Sequence, residues 1–245
     1  MQKLIIKGKK KLSGSINISG SKNATLPILA ATLLADKPII LKNTPFVQDV
    51  YTMINLLKFI GLSVKISKKL NILEITCKKK LKTLAPYKLL KTMRAGVLVL
   101  GPLLAKCKKA KVSLPGGCAI GTRPVNLHLF ALEKLGAKIK IKNGYIYASA
   151  KNGLKGATIK FPTISVGATE SAILAAVSAN GKTIISNCAI EPEIQDLIFF
   201  LKKMGCNICF IGSRKILIIG TKNFRSTAHE IIFDRIELGT YLIAA

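Results

Sequence analysis

Residues 113–124 read Ser113-Leu-Pro-Gly-Gly-Cys-Ala-Ile-Gly-Thr-Arg-Pro, which sets one thiol, Cys118, between paired glycines and the guanidinium of Arg123. Pro124 suits the first turn of a helix expected over 125–135. A thiol reacts through its thiolate, whose fraction rises beside Arg and near a helix N-terminus. Cys118 is the only one of six cysteines with such surroundings. The competing reading is a small buried hydrophobe, which fits poorly in a glycine-rich loop at a helix start. Arg94 falls in a mostly apolar helical pattern over 88–104, where a guanidinium is costly unless it meets a carboxylate or an external anion. With 11 acids in the chain, phosphate is at least as good a partner as a buried salt bridge. Lys22, in Ser21-Lys22-Asn23-Ala24, stands at the start of a small-residue helix, where phosphates bind readily. Read alone it is one more of 34 lysines, and its counterpart in an internal repeat is Val166.

Other candidate motifs carry less. Cys206 and Cys209 have C-x-x-C spacing, but on an expected strand, with no second cysteine pair and only two histidines, 128 and 229. A zinc site needs four ligands, so packing is the reading. His128 reads as structural or as a secondary contact, and the chain has no phosphate-binding loop, dinucleotide fingerprint or Ser/His/Asp signature.

The elements that hold these residues repeat. Residues 21–64 align without gaps on 165–208, with 11 identities: Ser21/Ser165, Ala24/Ala168, Thr25/Thr169, Ala31/Ala175, Ala35/Ala179, Ile40/Ile184, Asn43/Asn187, Ile54/Ile198, Leu57/Leu201, Lys58/Lys202 and Gly61/Gly205. A weaker third copy ends at 132–136, so the unit recurs about every 70 residues. Each unit predicts a small-residue helix (24–35, 168–179), a short strand (39–41, 183–185) and an amphipathic helix (47–60, 194–204) ended by Gly. Paired strands close it: 63–66 with 72–76, 138–141 with 145–149 through Asn143-Gly144, and 207–210 with 215–219 around Gly212. The result is a repeated β-α-β-α-β-β module. Residues 221–230 read as a polar connection, followed by a helix opening at 239–240 without a cap or partner strand, which predicts a fragment or truncated product.

Composition bounds the partners. The chain has 39 Lys plus Arg against 11 Asp plus Glu, a formal charge of +28, yet 49% of its residues are hydrophobic, so it folds rather than staying disordered. Only five of the cations are Arg, Trp is absent and aromatics total 6%; a solvated, compositionally biased surface is favoured over a nucleic-acid footprint. The longest apolar run, 95–105, is far short of the ~20 residues of a membrane span, and residues 1–12 lack a secretory apolar region. A cytoplasmic location and reduced thiols are expected.

Together, Gly20-Ser-Lys-Asn-Ala-Thr-Leu-Pro-Ile-Leu-Ala-Ala, Lys91-Thr-Met-Arg-Ala, Leu114-Pro-Gly-Gly-Cys-Ala-Ile-Gly-Thr-Arg-Pro-Val, Ser165-Val-Gly-Ala-Thr-Glu and Asp234-Arg-Ile-Glu-Leu-Gly-Thr closely resemble the UDP-N-acetylglucosamine enolpyruvyl transferase family, over essentially all 245 residues. The related enolpyruvylshikimate-phosphate synthases share the module but lack the Pro-Gly-Gly-Cys loop. The resemblance implies an α/β fold, an inside-out α/β barrel of β-α-β-α-β-β modules. It implies one complete domain (21–230) plus a partial second, built from the strands of 1–20 and from 231–245, where the rest of that domain starts.

The implied reaction moves enolpyruvyl from phosphoenolpyruvate to the 3-hydroxyl of UDP-N-acetylglucosamine and releases phosphate, the first committed step of peptidoglycan synthesis. Cys118 matches the family's proton donor, and Lys22, Arg94 and Arg123 its phosphoenolpyruvate-binding cations. Asn23, Arg123, Pro124, Val125, Asn126, Leu127, Ser165, Val166 and Gly167 match sugar-nucleotide contacts. No cofactor, metal, nucleic acid, membrane or obligate protein partner is implied. Asn126 stands where many members have Asp and Thr163 where some have Lys, which bears on the nucleotide contacts. The family's sugar-deprotonating Asp and two further Arg would lie past residue 245, so this stretch alone is expected to be inactive. The alternatives are another enolpyruvyl transferase, such as 3-phosphoshikimate 1-carboxyvinyltransferase, or a basic nucleic-acid-binding module.

Overall fold

The computed structural model describes residues 11–77, 80–116 and 125–245, with Lys3, Ile5 and Gly8. The first stretch holds α1 (Lys22–Ala31), β1 (Ile39–Lys42), α2 (Gln48–Ile60), β2 (Leu62–Ser67) and β3 (Ile72–Cys77). A second group is β4 (Leu84–Ala85), α3 (Tyr87–Leu90), a 3-10 segment (Arg94–Val99) running into α4 (Leu100–Cys107), β5 (Lys109–Ser113), α5 (Asn126–Lys134), β6 (Lys138–Lys142) and β7 (Tyr145–Ser149). A third is β8 (Thr158–Lys160), α6 (Val166–Ala176), β9 (Lys182–Ser186), α7 (Pro192–Lys203), β10 (Asn207–Phe210) and β11 (Lys215–Ile219). Strand β12 (Thr227–Glu230) and helix α8 (Arg235–Ala244) follow.

Three four-stranded sheets share one plan, ordered β12-β1-β3-β2, β4-β5-β7-β6 and β8-β9-β11-β10. In each, a parallel pair is followed by two antiparallel pairings. The expected module is therefore present, with one correction. The polar connection of 221–230 contains a strand: β12 lies parallel to β1, Thr227 opposite Ile39, and supplies the first sheet's leading strand from the far end of the chain. Leading strands of two to four residues are too short for alternation to reveal them.

Identical residues of the repeat do identical work. Ser21 and Ser165 cap α1 and α6, each accepting from the N–H three residues on at 3.3 Å. Thr25 and Thr169 donate to the carbonyls of those caps at 2.7 and 2.8 Å. Asn43 and Asn187, at φ 54° and 55°, donate to Ile231 O and Phe161 O at 2.9 Å, each just past a leading strand. Asn is among the few residues with a side chain that visit this left-handed region readily.

The core explains the small-residue helices. Helices α1 and α6 are buried nearly all round, and a Cβ on Gly101 of α4 would lie 3.2 Å from Ala175 of α6. Such close approach requires Ala and Gly. Inward-facing strand residues such as Ile39, Leu41, Val112, Ile146, Ile216 and Ile218 cover these helices. Gly220 passes so close to Ala179 that a Cβ there would overlap its carbonyl oxygen. Gly220→Ala is expected to destabilise by about 1–3 kcal/mol, read as a lower denaturant midpoint in urea unfolding.

Two further expectations are corrected. The single helix over 88–104 is broken at Met93, whose extended backbone (φ −133°, ψ 104°) restarts the helix at Arg94. The last helix opens at Arg235 and is capped: Asp234 accepts from the N–H of Ile236 and Glu237 at 2.9 and 3.1 Å. Among the described residues no helix is long and apolar enough to cross a membrane.

Candidate active-site cleft

The break at Met93 matters because it turns Arg94 from a mid-helix residue into the first residue of a helical segment. Three segments, α1, the one beginning at Arg94, and α6, then present their N-terminal residues to one cleft of about 690 Å³. Lys22 and Asn23 come from α1, Arg94 from the second, and Ser165, Val166 and Gly167 from α6 and its cap. Unpaired N–H groups at helix starts favour bound anions, and three starts with Lys22, Lys91 and Arg94 concentrate that preference in one place. One carboxylate tempers it: Lys22 is paired with Asp49 at 3.0 Å, both partly exposed. Glu170 also lines the wall.

His128, on the first turn of α5, is buried with Nδ1 2.7 Å from Ser171 Oγ. Burial, and then the nearby Arg94 charge, push its pKa down to about 4, so at neutral pH the imidazole is uncharged. Its ring packs on the α6 start, where a Cβ on Gly167 would come within 3.0 Å of Cε1. Gly167→Ala is expected to displace this ring, read as a changed His128 imidazole NMR shift with little loss of stability.

Beneath Asn23 a smaller recess of about 230 Å³ holds Glu170, Glu193 and Arg235. Arg235 Nε donates to Glu193 Oε1 at 3.0 Å, while the buried Oε2 of Glu193 has no hydrogen-bond partner. Desolvation first, then the charges of Glu193 and Glu191, push Glu170 up to about 8, so it carries a proton at neutral pH.

Of the site residues expected from sequence, the cleft brings together Lys22, Asn23, Arg94, Ser165, Val166 and Gly167. Val125, before α5, and Asn126 and Leu127, its first two residues, do not line the cleft, although His128 beside them does. Gly116 lines it too; Cys118, Arg123 and Pro124 lie outside the described residues. Sequence reading missed Glu170, Asp49 and the Glu193–Arg235 pair. The available signal was an acid inside an otherwise apolar small-residue helix, and Asp49 aligned with Glu193 across the repeat. Of the C-x-x-C pair, Cys206 is buried, and burial pushes its thiol up to about 12, while Cys209 is partly buried. Among the described residues no cluster could hold a metal ion.

Residues 6–245 match the model of the family EPSP synthase (3-phosphoshikimate 1-carboxyvinyltransferase). The UDP-N-acetylglucosamine 1-carboxyvinyltransferase of Pelagibacter ubique (strain HTCC1062) is 60% identical over all 245 residues, and that of Endomicrobium trichonymphae 54%. The chain spans 58% of the length of each. Among solved structures, the enolpyruvyl transferase NikO from Streptomyces tendae superposes with a TM-score of 0.86 at 20% identity, over 97% of this chain and 56% of its own. EPSP synthase from Acinetobacter baumannii gives 0.73 at 17% identity, over 91% and 51%. These two superpositions share the fold of inner helices and outer sheets, and the family match over nearly the whole sequence shows that this chain belongs to the EPSP synthase family.

Proposed function

We propose that the whole protein of which these 245 residues form part transfers enolpyruvyl from phosphoenolpyruvate to the 3-hydroxyl of UDP-N-acetylglucosamine, in the cytoplasm, for peptidoglycan synthesis. The observation that carries the reading is the convergence of three helix starts with Lys22 and Arg94 on one cleft, in a chain 60% identical to a relative named for that sugar nucleotide. Both substrates are anionic, and such a cleft suits phosphate and carboxylate groups.

In the proposed reaction the sugar 3-hydroxyl gives its proton to a carboxylate of the second domain as its oxygen bonds to C2 of phosphoenolpyruvate, and C3 takes a proton from the Cys118 thiol. Phosphate then leaves C2 with the C–O bonding electrons as a basic group removes a proton from C3, whose C–H electron pair restores the double bond. Lys22, Arg94 and Arg123 hold the phosphate and carboxylate; always-charged Arg does this without competing as a nucleophile. Asn23, with residues 123–127 and 165–167, holds the sugar nucleotide. Gly116 lines the cleft, and Cys118 follows it by two positions in the sequence. Residues 21–230 form one domain in this proposal, and 1–20 with 231–245 belong to a second that supplies the remaining catalytic groups.

Phosphate release by the whole protein tests this. It is expected with phosphoenolpyruvate plus UDP-N-acetylglucosamine and not with shikimate 3-phosphate; the reverse preference would reject the substrate assignment. Arg94→Gln is expected to raise KM for phosphoenolpyruvate about 10–100-fold through the loss of charge-assisted hydrogen bonds.

A further inference from the structure

The three modules share a plan but not a charge. Residues 84–149 carry 12 Lys or Arg and a single acid, Glu133, whereas 21–77 carry seven cations with three acids and 158–219 six with four. A genome-wide preference for Lys would act on all three alike.

On the outer face of the second sheet these lysines are ordered. Strand β7 lies between β5 and β6, with Ile146 and Ala148 buried and Tyr147 exposed, so Tyr145, Tyr147 and Ser149 form an outward column. Register places Lys111 and Lys140 on either side of Tyr147, Lys109 and Lys138 beside Ser149, and Lys142 beside Tyr145. The flanking columns stand roughly 9–10 Å apart, and their residues recur every ~6.7 Å along the strands. The Lys111 ammonium lies 4.6 and 5.0 Å from the Tyr145 and Tyr147 ring centroids. A shallow groove of about 610 Å³ runs along this face, and none of these residues lines the cleft. The equivalent central strands present Ile72, Glu74 and Thr76 on β3, and Lys215, Leu217 and Ile219 on β11.

We propose that the outer face of the second sheet binds single-stranded nucleic acid, with bases stacked on Tyr145 and Tyr147 and phosphates neutralised by the two lysine columns. An aromatic column on a sheet, flanked by cations, suits a polymer whose flat bases alternate with charged phosphates. An arriving base displaces the Lys111 ammonium from the rings, and its flexible stem carries it to a phosphate. An acidic polypeptide would use the lysines but leave the tyrosine column without a role. Composition alone hid this face because it averages over the chain.

The test is fluorescence anisotropy of a labelled 12-nucleotide oligo(U) with the purified protein, at 50 and 200 mM salt. Tyr147→Ala is expected to weaken binding about 5–150-fold, from the ~1–3 kcal/mol that stacking contributes per base, while Tyr147→Phe retains it. Lys111→Ser with Lys140→Ser should flatten the salt dependence by about 1.4 in slope. A control pair on the third sheet, Lys182→Ser with Lys215→Ser, should leave affinity within about twofold. Equal losses from the control pair, an unchanged Tyr147→Ala variant, or equally tight binding of poly-glutamate would each overturn the proposal.

Discussion

In the whole protein, Cys118→Ala should lower turnover about 10²–10⁴-fold, the usual contribution of a positioned proton donor, with substrate binding retained. Cys118→Asp keeps a group that can deliver a proton and should recover part of the rate. Steady-state phosphate release measures both, and an alanine variant with wild-type turnover would remove the thiol from the mechanism. The same sulfur should be the site alkylated by an epoxide phosphonate such as fosfomycin, read by peptide mass mapping. That outcome depends on a thiolate near cations, and buried thiols such as Cys206, pushed up to about 12, should stay unmodified.

Glu170→Gln should stabilise the protein, and by an amount that grows with pH. Folding raises this carboxyl's pKa from 4.5 to about 8. Between those values the folded state keeps a proton that the unfolded state has lost, so stability falls as pH rises through the window and levels off above it. Burial and the groups around Glu170 set this balance: Glu193 on α7 and Glu191 just before it raise its pKa further, and Arg235 shares its recess. Lys22, Arg94 and His128 line the adjoining cleft. Glutamine keeps the shape without the ionisation, and should gain up to about 5 kcal/mol at pH 9 and almost nothing at pH 4.5. Urea unfolding at several pH values reads the difference, and a gain independent of pH would show that Glu170 ionises as an ordinary carboxyl.

Much of the architecture was legible because the repeat preserves residues whose jobs are geometric. A capping Ser, a left-handed Asn and a Gly after a helix have few substitutes, so they survive where core residues drift among similar apolar types. The antiparallel pairs 62–77, 138–149 and 207–219 were legible through alternation and turn residues, Asn143-Gly144 adopting φ 50° and 72°. What stayed hidden was non-local. The start of a helix at Arg94 depends on packing, since a Cβ on Gly96 would meet Leu90 Cγ at 2.7 Å, and no local pattern records that. Glu170 lay within a recognised motif, yet its raised pKa comes first from burial and then from the charges of Glu193 and Glu191, an environment that only the fold creates. Lys22 and Arg94 were found by residue type; that they share a cleft could not be read from their spacing.

Strand β12 has a consequence for biosynthesis. A ribosome completes the second and third sheets in the order of their codons, but the first must wait for residues 227–230 to emerge. Until then β1 presents a bare hydrogen-bonding edge, with Ile39 and Leu41 ready to recruit a stray strand from another nascent chain. Of the three sheets, the one begun first is thus the last to be sealed, and the interval before sealing is when chaperone protection would count most.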